Sequence, residues 1–281
     1  MAPKIDHIIV GLPYGQLQDL PRWLTDNFTI APGGRHADEK TENKLIVFKD
    51  GSYIELIAFI DDDPEKKKGH WWGEHGAGYI DWAFTSNSAD DIHAVNDRID
   101  RVKPGLLHGV RYRPPQPGGR TKPDGNEIKW KVTFPEHVRR GEVPFWCHDV
   151  TPREMRVPKD DSLTTHPCGA LGVGRVTLVV PDQKLDPFQE LFSAVFDSKA
   201  NLSFGQLQWD MDAVNPTKGV LSPELVVQTP FDAGSGSDGY ATVSQVALLT
   251  DTIGIGQSRD TLLGKLGDAD MQIDFVHGKQ A

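Results

Sequence analysis

The sequence predicts an α+β protein assembled from repeated strand–helix–strands units. Three observations predict it. Short apolar runs of strand length recur along the chain, amphipathic helical stretches follow some of them, and the order restarts near residues 4, 78 and 172. The predicted organisation is a first unit over 1–62, a second over 78–158, and a third, divergent βα-rich unit over 172–281 packed on the same domain.

The first unit opens with the strand IDHIIVGLP, ended by Pro13. Leu17, Leu20, Trp23, Leu24 and Phe28 then fall at helical spacing. APGGRH reads as a Gly-rich turn, with a short strand around Thr29–Ala31. KLIVF and SYIELIAFI follow as strands, and Asp50-Gly51 between them is a hairpin signal. In the second unit GYIDWAFTS is a strand. ADDIHAVNDRIDRV is a helix with Ile92, Val95, Ile99 and Val102 on one face and Ser88 as its N-cap. GVRYRPP, EIKWKVTFP and VPFWCHDV are strands, with turn formers in PQPGGRTKPDGN between the first two. The third unit offers the strand VGRVTLVVPD and the helix LDPFQELFSAVF, with Pro187 early, where proline is tolerated. LSFGQLQW, PELVVQTP and YATVSQVALL are its strands, with a flexible AGSGSDG before the last.

Composition narrows the function. At 281 residues with 25% charged and 38% hydrophobic side chains, the chain is long enough for a full core and ordinary for a soluble protein. A formal net charge of −10 disfavours nucleic acid and anionic membranes, both polyanions. No run approaches the roughly 20 apolar residues of a membrane helix. MAPKIDH lacks the apolar centre of a secretory leader, and Cys147 and Cys168 read as reduced thiols, so the expected compartment is the cytoplasm. GALGVGRV precedes a strand instead of opening a helix, which excludes a dinucleotide fingerprint. The phosphate-loop, serine-esterase and CxxC signatures are missing as well.

The run DHIIVGLP, a helix, then PGGRH, TENKLIVF and DGSYIELIAF resembles the glyoxalase-like domain branch of the vicinal oxygen chelate superfamily, which includes glyoxalases, bleomycin-resistance proteins and extradiol dioxygenases. GGRTKPDGNEIKWKVTFP and PFWCHDV are similar to further segments of that branch, and the likeness spans about residues 4 to 180. It implies βαβββ modules forming a curved, cup-like mixed sheet with peripheral helices. It also implies metal ligands on the first and fourth strands of each module. Carried over, these positions are His7 and Glu55 in the first module; in the second they fall at or next to Trp82 and at Cys147 or His148. Trp82 cannot ligate, so three protein ligands are the most these positions supply.

Strand alternation groups His7 with Ile5 and Ile9, and His148 with Trp146, so a one-residue offset exchanges Cys147 for His148. The preferred set is His7, Glu55 and His148, two imidazoles and a carboxylate that leave positions open for substrate oxygens. The ion would be divalent (Zn, Mn, Ni or Fe), with a metal-free cup as the other option. The bland readings are a strand-entry histidine for His7, an exposed edge-strand acid for Glu55 and a surface histidine for His148. Arg120 is a candidate to bind a carboxylate or polarised oxygen. Trp82, Trp130 and Trp146 could line the pocket with Arg35, and Arg35-His36 and His70-Trp71-Trp72 to His75 could cover it. His166, before Pro167, either fixes the connection to the third unit or serves as an acid or base.

The expected function is an enzyme taking a small oxygenated metabolite (carbonyl, enol or carboxylate) in the cup for isomerase or lyase chemistry. The alternatives are an Fe(II) oxygenase and a metal-free binding or sequestering protein. The cup closes within one chain or in a homodimer.

Overall fold

The structure, a computed structural model, describes residues 2–122, 124–216, 221–230, 239–250 and 261–277. Most of the AGSGSDG segment lies outside these residues. The first half contains β1 (Lys4–Gly11), α1 (Tyr14–Gln18), α2 (Arg22–Thr25), β2 (Ala31–His36), β3 (Thr41–Val47), β4 (Tyr53–Phe59) and α3 (Pro64–Lys67). Then come β5 (Gly78–Thr85), α4 (Asp91–Val102), β6 (Arg111–Tyr112), β7 (Gln116–Thr121), β8 (Glu127–Thr133), β9 (Pro135–Glu136) and β10 (Phe145–Asp149). The remainder is α5 (Arg153–Arg156), α6 (Asp161–Thr164), β11 (Ala170–Val179), α7 (Leu185–Phe196), β12 (Asn201–Ser203), β13 (Gln206–Asp210), β14 (Glu224–Gln228), β15 (Thr242–Thr250), β16 (Thr261–Leu266) and β17 (Ala269–His277).

Eight strands close into a barrel in the order β1-β4-β3-β2-β7-β8-β10-β5. One chain therefore completes the ring. The β1–β4 pairing is parallel, β1–β5 antiparallel and β5–β10 parallel. The mixed curved sheet expected of the fold class is present. A second sheet of seven strands runs β12-β13-β14-β11-β15-β17-β16, again parallel, antiparallel, parallel at its centre. The 172–281 segment thus repeats the central pairing of the barrel. The largest core cluster joins the outer face of the barrel to α4, α7 and the second sheet through Ile5, Ile8, Trp82, Phe84, Ile99, Phe192, Val176 and Leu248. Arg98 of α4 donates to the Ala194 and Val195 carbonyls, satisfying the open C-terminal end of α7.

Four local expectations are corrected. Pro21 splits the first helical stretch into α1 and α2. APGGRH is strand β2, and its glycines serve close backbone approach, since a Cβ on Gly33 would sit 2.1 Å from Asn43 Oδ1. Likewise QPGGRT, taken as turn, is strand β7. The N-cap of α4 is Asp90, whose amide donates to Ser88 Oγ, and Val102 stands exposed at the helix end.

Candidate active site

Alternation along the barrel strands turns one set of side chains into its interior. His7 on β1, Glu55 on β4, Asn43 on β3, His36 on β2, Arg120 on β7, Trp130 on β8 and Cys147 on β10 line one cavity of about 190 Å³. The imidazole of His7 and the carboxylate of Glu55 do converge. His7 Nε2 lies 3.6 Å from Glu55 Oε2, and both side chains are buried. Asn43 donates to Glu55 Oε1 at 2.6 Å, while His36 Nε2 lies 3.5 Å from that oxygen. His36 is therefore a cavity residue in its own right, and burial pushes its imidazole below the usual histidine range.

The polar residue before His7 answers why a buried strand carries an acid. Asp6 is fully buried beside a register shift between Ile5 and His7 in the β1–β5 pairing. His7 Nδ1 donates to Asp6 Oδ1 at 2.5 Å. Arg156 donates to both Asp6 oxygens at 2.9 and 3.1 Å, and Arg153 to Oδ2 at 2.7 Å. Burial alone would raise this carboxyl; the two guanidiniums outweigh it and hold Asp6 well below the aspartate range. Arg156 also donates to the Tyr53 hydroxyl at 2.7 Å, and the Tyr53 ring stacks on His7 at 4.5 Å. The imidazole is fixed on three sides, with its Nε2 edge toward Glu55.

Arg120 is 4% exposed. Its Nη1 donates to Asn43 Oδ1 at 2.9 Å and its Nη2 to the Arg156 carbonyl at 3.4 Å. Among the described residues its Nε has no partner. The segment after α3 covers the opening, where Trp71 and Trp72 reach the cavity. Trp72 is pinned there by donating to Asp81 Oδ2 at 2.7 Å.

Other sequence candidates stand elsewhere. His148 points out of the barrel, parallel to the ring of Trp146, with Nε2 2.8 Å from Ser86 Oγ; the inward position on that strand is Cys147. Burial pushes the Cys147 thiol up, so it stays protonated. Trp82 and Trp146 are packed in the main core outside the barrel, against Phe84. Arg35 is exposed, its alternation opposite to that of His36. His166 accepts from the Thr29 amide at 3.1 Å and donates to the Val47 carbonyl at 3.0 Å, tying the 150–169 connection to the barrel.

The three carried-over ligands do not assemble a divalent-metal site, because His148 faces away from His7 and Glu55. In the second half of the barrel, Ala83 pairs opposite His7, and the inward fourth-strand position is Cys147. Arg120, without an ion pair among the described residues, lines the same cavity, while Arg156 is neutralised by Asp6 and Asp149. Among the described residues no group of three or more His, Cys, Asp or Glu side chains is placed to hold a metal ion. No described helix is long and apolar enough to cross a membrane.

Comparison with known proteins gives the same fold. A family model described as a glyoxalase-like domain matches residues 5–196. A structure from Staphylococcus aureus, described as a hypothetical protein, aligns with 98% of this chain and 100% of its own at a TM-score of 0.67 and 15% identity. The Mn(II)-bound glyoxalase from Novosphingobium aromaticivorans aligns with 98% of this chain and 82% of its own at a TM-score of 0.50 and 10% identity. No curated protein sequence matches. At these identities the likeness is one of fold.

Proposed function

Because the chain belongs to the glyoxalase-like domain family, matched over residues 5–196, we propose that it is an enzyme acting on a small oxygenated anion inside the barrel. The reaction is a proton shift next to a carbonyl or carboxylate, of the isomerase or lyase kind, carried out by side chains alone. One observation carries this reading: the His7 imidazole is held between the Asp6 carboxylate at 2.5 Å and the Glu55 carboxylate at 3.6 Å, in a cavity that also contains Arg120.

Each group has a role. With Nδ1–H given to Asp6, His7 turns its Nε2 to the cavity and serves as the general base. Asp6 stays ionised and stabilises the imidazolium that forms. Glu55, fixed by Asn43, stands 3.6 Å from Nε2, so a proton that His7 takes from the substrate passes to Glu55, which returns it to the substrate and leaves both groups as they began. Arg120 faces the negative charge that develops on the substrate oxygen, where a fixed cation in a water-poor site is most effective.

The test is solvent exchange. Wild-type protein in deuterium oxide, with a panel of 2-oxo and 2-hydroxy carboxylates, should remove the proton next to the carbonyl of at least one member, followed by proton NMR. His7→Gln and Glu55→Gln should each slow it about 10²–10⁴-fold. Exchange at the buffer rate for every compound would overturn the reading. Dialysis against a chelator should leave the rate unchanged, and near-stoichiometric metal in protein purified without chelator would overturn the metal-free assignment. A sequestering protein is the second reading, favoured by the aromatic wall of Trp71, Trp130 and Phe134; it predicts tight binding without exchange.

A further inference from the structure

We propose that the substrate is an aryl-substituted carboxylate, its acid group on Arg120 and its ring against Trp71, Trp130 and Phe134. The inference deepens the reading above and rests on its assignment of the cavity as the reaction site.

The acid end follows from an unfinished arginine. Arg120 is almost wholly buried, and among the described residues it makes no ion pair within 4.0 Å. Both of its protein partners are neutral, an amide oxygen and a peptide carbonyl. Its Nε–H is left without an acceptor. A buried guanidinium with an idle donor is costly, and a carboxylate is the group whose two oxygens match the guanidinium fork. Burial lowers the pKa of Arg120, which is the direction expected of a cation whose counter-ion has yet to arrive.

The ring end follows from the aromatic side chains that line the same cavity. Trp71 is 45% exposed although its neighbour Trp72 is buried and pinned, so one large apolar face is left open at the entrance. Phe134 meets it at 5.2 Å between ring centroids, tilted by 44°. On β8, next to the strand that carries Arg120, Trp130 lies against β7, because Gly118 has no side chain there; a Cβ would sit 2.4 Å from Trp130 Nε1. His36 meets the same indole edge-on at 6.2 Å. Aromatic faces and a guanidinium without a carboxylate partner among the described residues, in one cavity, select a ligand that carries both a flat apolar group and an anionic one.

The probes are 3-phenylpropanoate, its amide, propanoate and octanoate, titrated into the full chain by tryptophan fluorescence and calorimetry. The aryl acid should bind about tenfold or more tighter than its amide and than propanoate, and more tightly than octanoate. Arg120→Gln should erase the preference for acid over amide. Trp71→Ala, a half-exposed position whose loss leaves the core intact, should erase the preference for aryl over alkyl and keep that for acid over amide. Equal binding of acid and amide, equal binding of aryl and alkyl acids, or no binding of any probe at millimolar concentration overturns the proposal. Proton exchange in the wild type without aryl-acid preference would sink the substrate class and leave the chemistry standing. Aryl-acid binding with no exchange would do the reverse.

Discussion

Replacing Asp50 with Asn should make the protein more stable at neutral pH, and the gain should vanish in acid. Asp50 sits in the β3–β4 hairpin turn, where Ser52 donates its amide at 2.8 Å and its hydroxyl at 2.6 Å to Oδ1. The other oxygen, Oδ2, has no partner among the described residues and faces Gly172 of the second sheet, where a Cβ would sit 2.0 Å from it. Burial outweighs the Ser52 hydrogen bonds and pushes the carboxyl from 3.8 up to about 6. The folded state therefore holds this proton more tightly than the unfolded chain. Its favourable contribution is complete below pH 3.8 and is lost as the pH rises through about 6. At about 1.4 kcal/mol per unit, a shift of about two units is a cost of about 3 kcal/mol at neutral pH. Roughly 2 kcal/mol of that change falls between about pH 4.5 and pH 7.5. Urea unfolding of wild type and Asp50→Asn across that range isolates the term, because every other titrating group cancels in the difference. A stability difference that is flat with pH would refute the reasoning, as would a variant whose advantage grows in acid.

Three other variants probe the buried charges and the connecting segment. Arg156→Met strips Asp6 of its double contact and should cost about 3–5 kcal/mol in urea unfolding. Asp6 itself, held low, supports the fold above the ordinary aspartate range and loses that support as pH falls through its depressed value, so Asp6→Asn should flatten the acid limb of the stability curve. His166→Ala leaves the Thr29 amide and the Val47 carbonyl unmatched and should cost about 1–3 kcal/mol. Its proton-exchange rate per folded molecule should equal that of wild type, since the ring lies outside the cavity.

Period-two alternation made much of the barrel legible, including the shared inward face of His7 and Glu55. Alternation is also why parts of the site were not. In FWCHDV the sequence shows two candidate phases, and only the pairing of Cys147 with Val132 and of His148 with Lys131 distinguishes them. Asp6 was hidden because regular alternation would turn it away from His7; the register shift at Ile5/His7 is invisible without the partner strand. Its signal was the pair itself, an acid and an imidazole side by side in an apolar run. Gly-Gly in β2 and β7 read as turns because glycine serves both reversal and close approach, and a single sequence does not separate the two. Trp82 is a core residue because β5 presents that side to α7, where Phe192 lies 6.2 Å away.

One of the two thinnest junctions in the ring of strands joins β2 and β7, which share only the pairs Arg35–Thr121 and His36–Arg120, helped by the Ala37 amide donating to the Gly119 carbonyl at 3.1 Å. Every other junction between barrel strands is longer, save the two-pair contact of β5 with β10. The amides of this junction should be the first to trade hydrogen with solvent, and the cavity residues on its two lips are His36 and Arg120. A guest gripped from both lips would act as a clasp, so occupancy of the chamber and tightness of the hoop would rise together.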